Sequence, residues 1–200
     1  TMDGLVKNPF DSDIDERLIA SAAVLYCEGY LWDREVAKEA IRVAMNIAKD
    51  ANSLVALTLS DQMCVDRHRQ EWRDLLEDRV NFVFTNETEV KSLFETEDFD
   101  SAVDQLSKCV NSAFVTLGPK GSLVVSGNDR IRIAAEEIGG VVDTTGAGDL
   151  YASGVLFGLC QGFSLEKSGK LGSLVAAEII SHLGARPVAD LSGLVKNGLR

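Results

Sequence analysis

The sequence predicts an α/β protein built on a mostly parallel sheet with one antiparallel edge. Short apolar runs rich in β-branched residues alternate with stretches of helical periodicity along most of the chain. Strands joined through helices in this way form a parallel sheet covered on both faces. The rhythm breaks once, where two strands flank Gly127-Asn128-Asp129, and that hairpin chemistry adds the antiparallel edge. Glycine turns also follow strand ends, which is where open α/β sheets place their ligands.

Taken in order, Ala22-Ala23-Val24-Leu25-Tyr26 predicts the first strand. Residues 34–49 predict a helix with Val36, Ala40, Val43 and Ile47 on one face. A second strand is expected over 54–59, a helix over 66–76 and a third strand over 81–84. An acidic helix over 87–94 and another over 99–109 lead to a strand over 113–117. The hairpin takes 122–126 and 130–133, and Val141-Val142 forms a short strand before a glycine turn. Helices over 147–161 and 165–183 close the pattern. No repeat, low-complexity segment or linker interrupts it, so one domain is expected over 1–200.

Bulk properties exclude several classes of function. Two hundred residues suffice for a real core. A formal charge of −11 argues against nucleic acid as a partner, which needs clustered Lys and Arg. It also means that an anionic ligand must be held by local backbone dipoles. No apolar run reaches membrane-spanning length, so no membrane partner is expected. No charged-then-apolar leader opens the chain, and the expected location is the cytoplasm. Cys27, Cys64, Cys109 and Cys160 are too widely spaced for a zinc site and read as free thiols, buried except for Cys64 in a loop. His68, in a charged helix start, reads as solvated, and His182 as a favourable charge near a helix C-terminus.

The chemistry concentrates in Asp143-Thr144-Thr145-Gly146-Ala147-Gly148-Asp149. A strand, a glycine turn and a helix N-terminus present unpaired N–H groups and the positive end of a dipole. Small residues let an anion approach the backbone. A carboxylate at that position suits a group that accepts a proton from an attacking hydroxyl. The bland reading of the same residues is a tight turn with Asp149 as a helix N-cap.

The run resembles the second signature of the ribokinase-like (PfkB) carbohydrate and nucleoside kinase family, Asp-Thr-x-Gly-Ala-Gly-Asp, at every fixed position. The resemblance implies a three-layer α/β/α ribokinase-like fold and phosphoryl transfer from ATP, with Mg2+, to a hydroxyl of a sugar or nucleoside. It makes Gly146, Ala147 and Gly148 an anion hole and Asp149 the catalytic base. Asn86-Glu87-Thr88-Glu89 fits the family's Asn-x-x-Glu pattern, so Glu89 helps place Mg2+ through water and Asn86 holds the loop of the nucleotide site. A plain Asn N-cap followed by first-turn acids explains the same four residues. Thr116, Gly118 and Gly121 fit a Thr-x-Gly-x-x-Gly loop that contacts nucleotide phosphates. The small-residue helix at 171–178, with Ala176, borders the adenine, opposite 133–137; close packing of the helix against the sheet is the structural alternative. Asp143 and Thr145, with the turn Gly184-Ala185-Arg186-Pro187, mark the position of a monovalent cation, K+, in the family. A helix C-cap glycine followed by Pro accounts for that turn equally well.

The resemblance covers the later part of the family fold. The N-terminal region, with its Gly-Gly motif, most sugar-binding residues and a β-lid, is expected to lie outside this chain. Gly139-Gly140 stands in the wrong place for that motif. A missing N-terminal lobe would leave an exposed edge, inviting a partner or a homodimer. The alternative function is a nucleotide-binding remnant or subunit without catalysis.

Overall fold

The computed structural model describes residues 14–136 and 140–198. Glu137 and Gly139 therefore lie outside the described residues. The chain divides into two compact units, 1–113 and 114–200.

The first unit begins with α1, Glu16–Ser21, capped by the Asp15 carboxylate on the Leu18 N–H. Then come β1 (Val24–Glu28), α2 (Glu35–Asp50), β2 (Leu54–Thr58), α3 (Gln62–Asp78) and β3 (Phe82–Asn86). β1 and β2 are parallel, with Val24 opposite Leu54 and Glu28 opposite Thr58. β2 and β3 are parallel with Ala56 opposite Phe82. These are two successive strand–helix–strand crossovers. α4 (Glu87–Leu93) and α5 (Phe99–Cys109) lead to β4, Ser112–Thr116, which straddles the boundary between units. The strand order here is β1-β2-β3-β4. Val55, Ala56 and Leu57 of β2 lie at the core, almost wholly buried.

α2 buries Ala37, Ala40, Ile41, Met45 and Ala48, while Val36 is 46% exposed. The buried stripe is thus rotated by about one residue from the predicted face. That stripe includes Lys38, also buried, whose ammonium reaches Glu71 of α3 at 2.9 Å. α3 starts four residues before the predicted helix because the Asp61 carboxylate caps the Cys64 N–H at 2.8 Å.

In the second unit a 3-10 turn, Gly118–Lys120, connects β4 to β5 (Ser122–Ser126), and β6 (Asp129–Ile133) returns antiparallel with Ser126 opposite Asp129. The order is β4-β5-β6. The predicted hairpin is present, closed by the two residues Gly127 and Asn128. α6 (Ala147–Cys160), α7 (Leu165–Ile180) and α8 (Leu191–Gly198) follow. α6 and α7 approach backbone to backbone: a methyl at Gly154 would stand 2.7 Å from the Leu171 carbonyl oxygen. On α7, a methyl at Gly172 would stand 2.8 Å from the Tyr151 carbonyl oxygen of α6, and one at Gly169 would stand 3.0 Å from Val124 of β5, so these glycines allow close packing against a helix as well as against the sheet.

Val141 and Val142 form no strand. They are 70% and 58% exposed, and the Val142 N–H donates to the Ile180 carbonyl at the end of α7. Two valines carry strand propensity, but propensity without a partner strand makes no ladder.

Candidate functional site

The signature run lies in the second unit as a turn pinned at both ends. Asp143 Oδ1 accepts from the Thr145 N–H at 2.9 Å and the Thr145 hydroxyl at 2.7 Å, and its Oδ2 accepts from the Gly184 N–H at 3.1 Å. Those three donors hold its carboxyl below the usual carboxylate range, the Thr145 hydroxyl contributing most. Gly146 then takes φ 80°, ψ 0°, a left-handed conformation that costs any L side chain.

Gly146 is the N-cap of α6, and no side chain caps that end. Asp149 is the third helical residue and not the N-cap, which removes the bland reading in that form. The Ala147 N–H donates to the Thr144 carbonyl at 3.1 Å, and the first helical bond runs from Leu150 to Gly146 at 2.9 Å. Of the three residues expected to form an anion hole, Ala147 thus has its N–H engaged within the turn. The N–H groups of Gly148 and Asp149 fall in the first turn, where a helix supplies no acceptor of its own. Both residues are exposed.

The glycine loop after β4 leads into Ser122, which α6 contacts through Tyr151. Thr116 ends β4 half-buried, and Gly118 to Lys120 are exposed. The Leu117 N–H closes on the Gly121 carbonyl at 2.8 Å. Gly121 has φ 84° and packs against backbone atoms of 133–135. Next to it, buried Ser122 accepts a 2.8 Å bond from the Tyr151 hydroxyl, two residues past Asp149. Burial pushes the Tyr151 phenol up to about 12, against the opposing effect of the Ser122 bond, so it stays a donor. Tyr151 escaped the sequence analysis; nothing short of the fold pairs it with Ser122. Ala176 sits half-buried in α7.

Glu178 also escaped notice. It is 4% exposed, and its Oε1 accepts from the Val188 and Ala189 N–H groups at 2.9 and 2.8 Å and lies 3.2 Å from His182 Nε2. Burial opposes its ionisation, yet those bonds prevail and hold its carboxyl below the usual value. A lone acid in the small-residue run 171–180 was the available signal.

In the first unit Asn86 and Glu89 form a reciprocal capping box at α4. Asn86 Oδ1 accepts from the Glu89 N–H at 2.9 Å, while Glu89 accepts from the Asn86 N–H, the Asn86 amide and the Thr85 hydroxyl. Glu89 is 4% exposed, and burial raises its carboxyl above the usual range despite those donors. The plain N-cap reading of these residues is fully realised.

Two expectations are corrected here. Cys64 is buried, with its thiol donating to the Gly29 carbonyl at 3.3 Å and burial pushing it up to about 11; Cys160 is the exposed cysteine. His68 is not solvated: at a kink in α3, its Nε2 lies 2.8 Å from Asp33 and its Nδ1 3.4 Å from Glu71. Among the described residues, no group of three His, Cys, Asp or Glu is placed to hold a metal, and no helix is long and apolar enough to cross a membrane.

Parallel strands with helical crossovers define an α/β protein, and its helix α6 starts at a glycine with no side-chain cap. The chain belongs to the pfkB family of carbohydrate kinases, whose model matches residues 4–190. It is similar to the solved adenosine kinase of Sinorhizobium meliloti, at 45% identity and a TM-score of 0.92, covering 95% of this chain and 58% of that one. It is 32% identical over 109 residues to a nucleoside kinase of Methanocaldococcus jannaschii, covering 54% of this chain and 35% of that protein. The ribokinase of Arabidopsis thaliana solved with ribose and ATP shares the fold, at 24% identity and a TM-score of 0.75, covering 94% of this chain and 59% of that one. The ribokinase-like α/β fold expected from the sequence is thus present. The chain spans little more than half of these solved proteins.

Proposed function

We propose that this chain carries the nucleotide-binding and phosphoryl-transfer part of a kinase that moves the γ-phosphoryl of ATP to a hydroxyl of a nucleoside or sugar. The observation that carries it is the start of α6, where Gly146 caps the helix without a side chain and exposed Gly148 and Asp149 follow in its first turn. First-turn N–H groups stabilise negative charge as it builds on the transferred phosphoryl. The acceptor oxygen forms its bond to phosphorus as the bond to the β-phosphate oxygen breaks; ADP departs, and the hydroxyl proton passes to Asp149. Thr116, Gly118 and Gly121 line the nucleotide phosphates, and Ala176 the adenine. The family and the relatives named adenosine and nucleoside kinases support this reading.

Mg2+ would supply charge neutralisation on the phosphates. The residues fit an ion that arrives on the nucleotide with its waters, since Glu89 already accepts three donors and no three-acid cluster exists among the described residues. Glu89 then acts by holding the β3–α4 turn. The Asp143 and Thr145 side chains bond each other, and K+ at this turn would take their remaining oxygen lone pairs.

Calorimetric titration with a non-hydrolysable ATP analogue and magnesium tests the binding half; Gly148→Val abolishes the signal. In a transfer assay Asp149→Asn loses about a hundredfold or more in turnover while analogue affinity is retained. Unchanged turnover would refute the role of Asp149. Binding with no transfer to any nucleoside or sugar in a panel would favour the non-catalytic subunit.

A further inference from the structure

The bonds of Glu178 reach further than its own helix. The segment it fixes, 182–189, passes across the signature turn. There the Gly184 N–H bonds Asp143 Oδ2 at 3.1 Å, and Ala185 Cβ lies 3.0 Å from the point where a side chain on Gly146 would begin. Asp143 in turn holds Thr145. Two separate contacts thus run from the tail to the residues that set the first turn of α6. Glu178 anchors the far side of the tail through Val188 and Ala189.

Its cost is also visible. Glu178 Oε2 is buried and, among the described residues, has no hydrogen-bond partner. A carboxylate half-satisfied in the interior is unfavourable, and an apolar residue would pack the end of α7 more cheaply. The tail bonds offset that cost, and they give the acid a task that packing alone does not require.

Resting on the phosphoryl-site reading above, we infer that Glu178 is a positioning residue: by gripping Val188 and Ala189 it seats Gly184 and Ala185 against Asp143 and Gly146, and so sets the anion-binding turn. It touches no substrate. Its effect passes through the tail, and Gln, which keeps an oxygen acceptor, replaces it in part.

The test uses the full 200-residue chain. Amide NMR spectra of the ligand-free Glu178→Ala variant should show faster hydrogen exchange at Val188 and Ala189 together with shifted resonances at Gly146, Gly148 and Asp149. Affinity for the magnesium–ATP analogue should fall about tenfold or more, as misplacement of binding groups costs. Glu178→Gln should recover most of both. Ala185→Gly should shift the same turn resonances, and added to Glu178→Ala it should do little more. Loosened tail amides with an unmoved turn at 146–149 would overturn the inference and leave Glu178 a stabilising residue only. If Glu178→Ala does not fold, Ala185→Gly decides: turn resonances unmoved in it overturn the inference. A native chain that binds no analogue would sink the phosphoryl-site reading, while the NMR coupling between tail and turn would still stand or fall by itself.

Discussion

Replacing Gly121 by alanine should destabilise the second unit far more than the same change three residues earlier. Gly121 has φ 84° and ψ −128°, and a Cβ there would lie 2.0 Å from the Ile133 oxygen, 2.6 Å from the Ala135 nitrogen and 2.7 Å from the Ala134 carbonyl carbon. All three are backbone atoms, so no rotamer change relieves the contact. Ordinary heavy-atom contact is about 3.5 Å, so the strand end must retreat by roughly 1 Å or more. Backbone strain at such a φ costs about 1–3 kcal/mol, and forced displacement in a packed site adds about 1–3 kcal/mol. The total is about 2–6 kcal/mol. At about 2–4 °C per kcal/mol for a chain of this size, the melting temperature falls by at least about 4 °C. Gly118 also has a positive φ, 57°, but a Cβ there meets nothing within 4 Å. Its alanine costs only the left-handed penalty of about 1–2 kcal/mol. Circular dichroism melts of both variants provide the measurement. If Gly121→Ala melts within a degree of the parent, or no lower than Gly118→Ala, the packing argument is wrong. Analogue titration adds a second contrast: Gly118→Val should weaken nucleotide binding through the exposed face of the loop.

Asn86→Ala removes the capping box of α4 and should cost about 1 kcal/mol, read from the urea midpoint. Glu71→Ala leaves the buried Lys38 ammonium without its 2.9 Å partner and strips Arg42 and Trp32 of theirs. A loss of about 2 kcal/mol is expected, short of a fully buried pair because Glu71 is itself about one-third exposed; Lys38→Met in the same chain should recover part of it. The lowered carboxyls of Asp143 and Glu178 contribute stability that is present above their ordinary values, 3.8 and 4.5, and lost as pH falls through their folded-state values. Urea midpoints followed from neutrality to about pH 3 should therefore decline, less steeply in Glu178→Gln. Glu89 has the opposite sign: its raised carboxyl contributes stability present below 4.5 and lost as pH rises through the folded value, so NMR titration should place its midpoint above 4.5.

Elements carrying a periodic apolar stripe or a turn of distinctive residues were legible. α5 occupies 99–109 and β5 occupies 122–126, as their patterns predict. α1 was not legible because its six residues bury nothing, so no stripe exists to be seen. The early start of α3 was hidden because one cap residue, Asp61, and a buried Cys64 resemble a loop in isolation. His68 read as solvated because its partner Asp33 is 35 residues away.

The candidate site divides along the same line. Seven consecutive residues determine a left-handed glycine followed by a helix with an acid in its first turn, since each requirement concerns dihedrals and neighbours within one turn of chain. The Asn86–Glu89 box is local in the same sense, closing over three residues. That Tyr151 meets Ser122, that Ala185 covers Gly146, and that Glu178 grips residues ten and eleven positions on emerged only in the packed molecule. Those contacts join separate stretches of chain, and their energies come from burial and from excluding water, which no local pattern encodes.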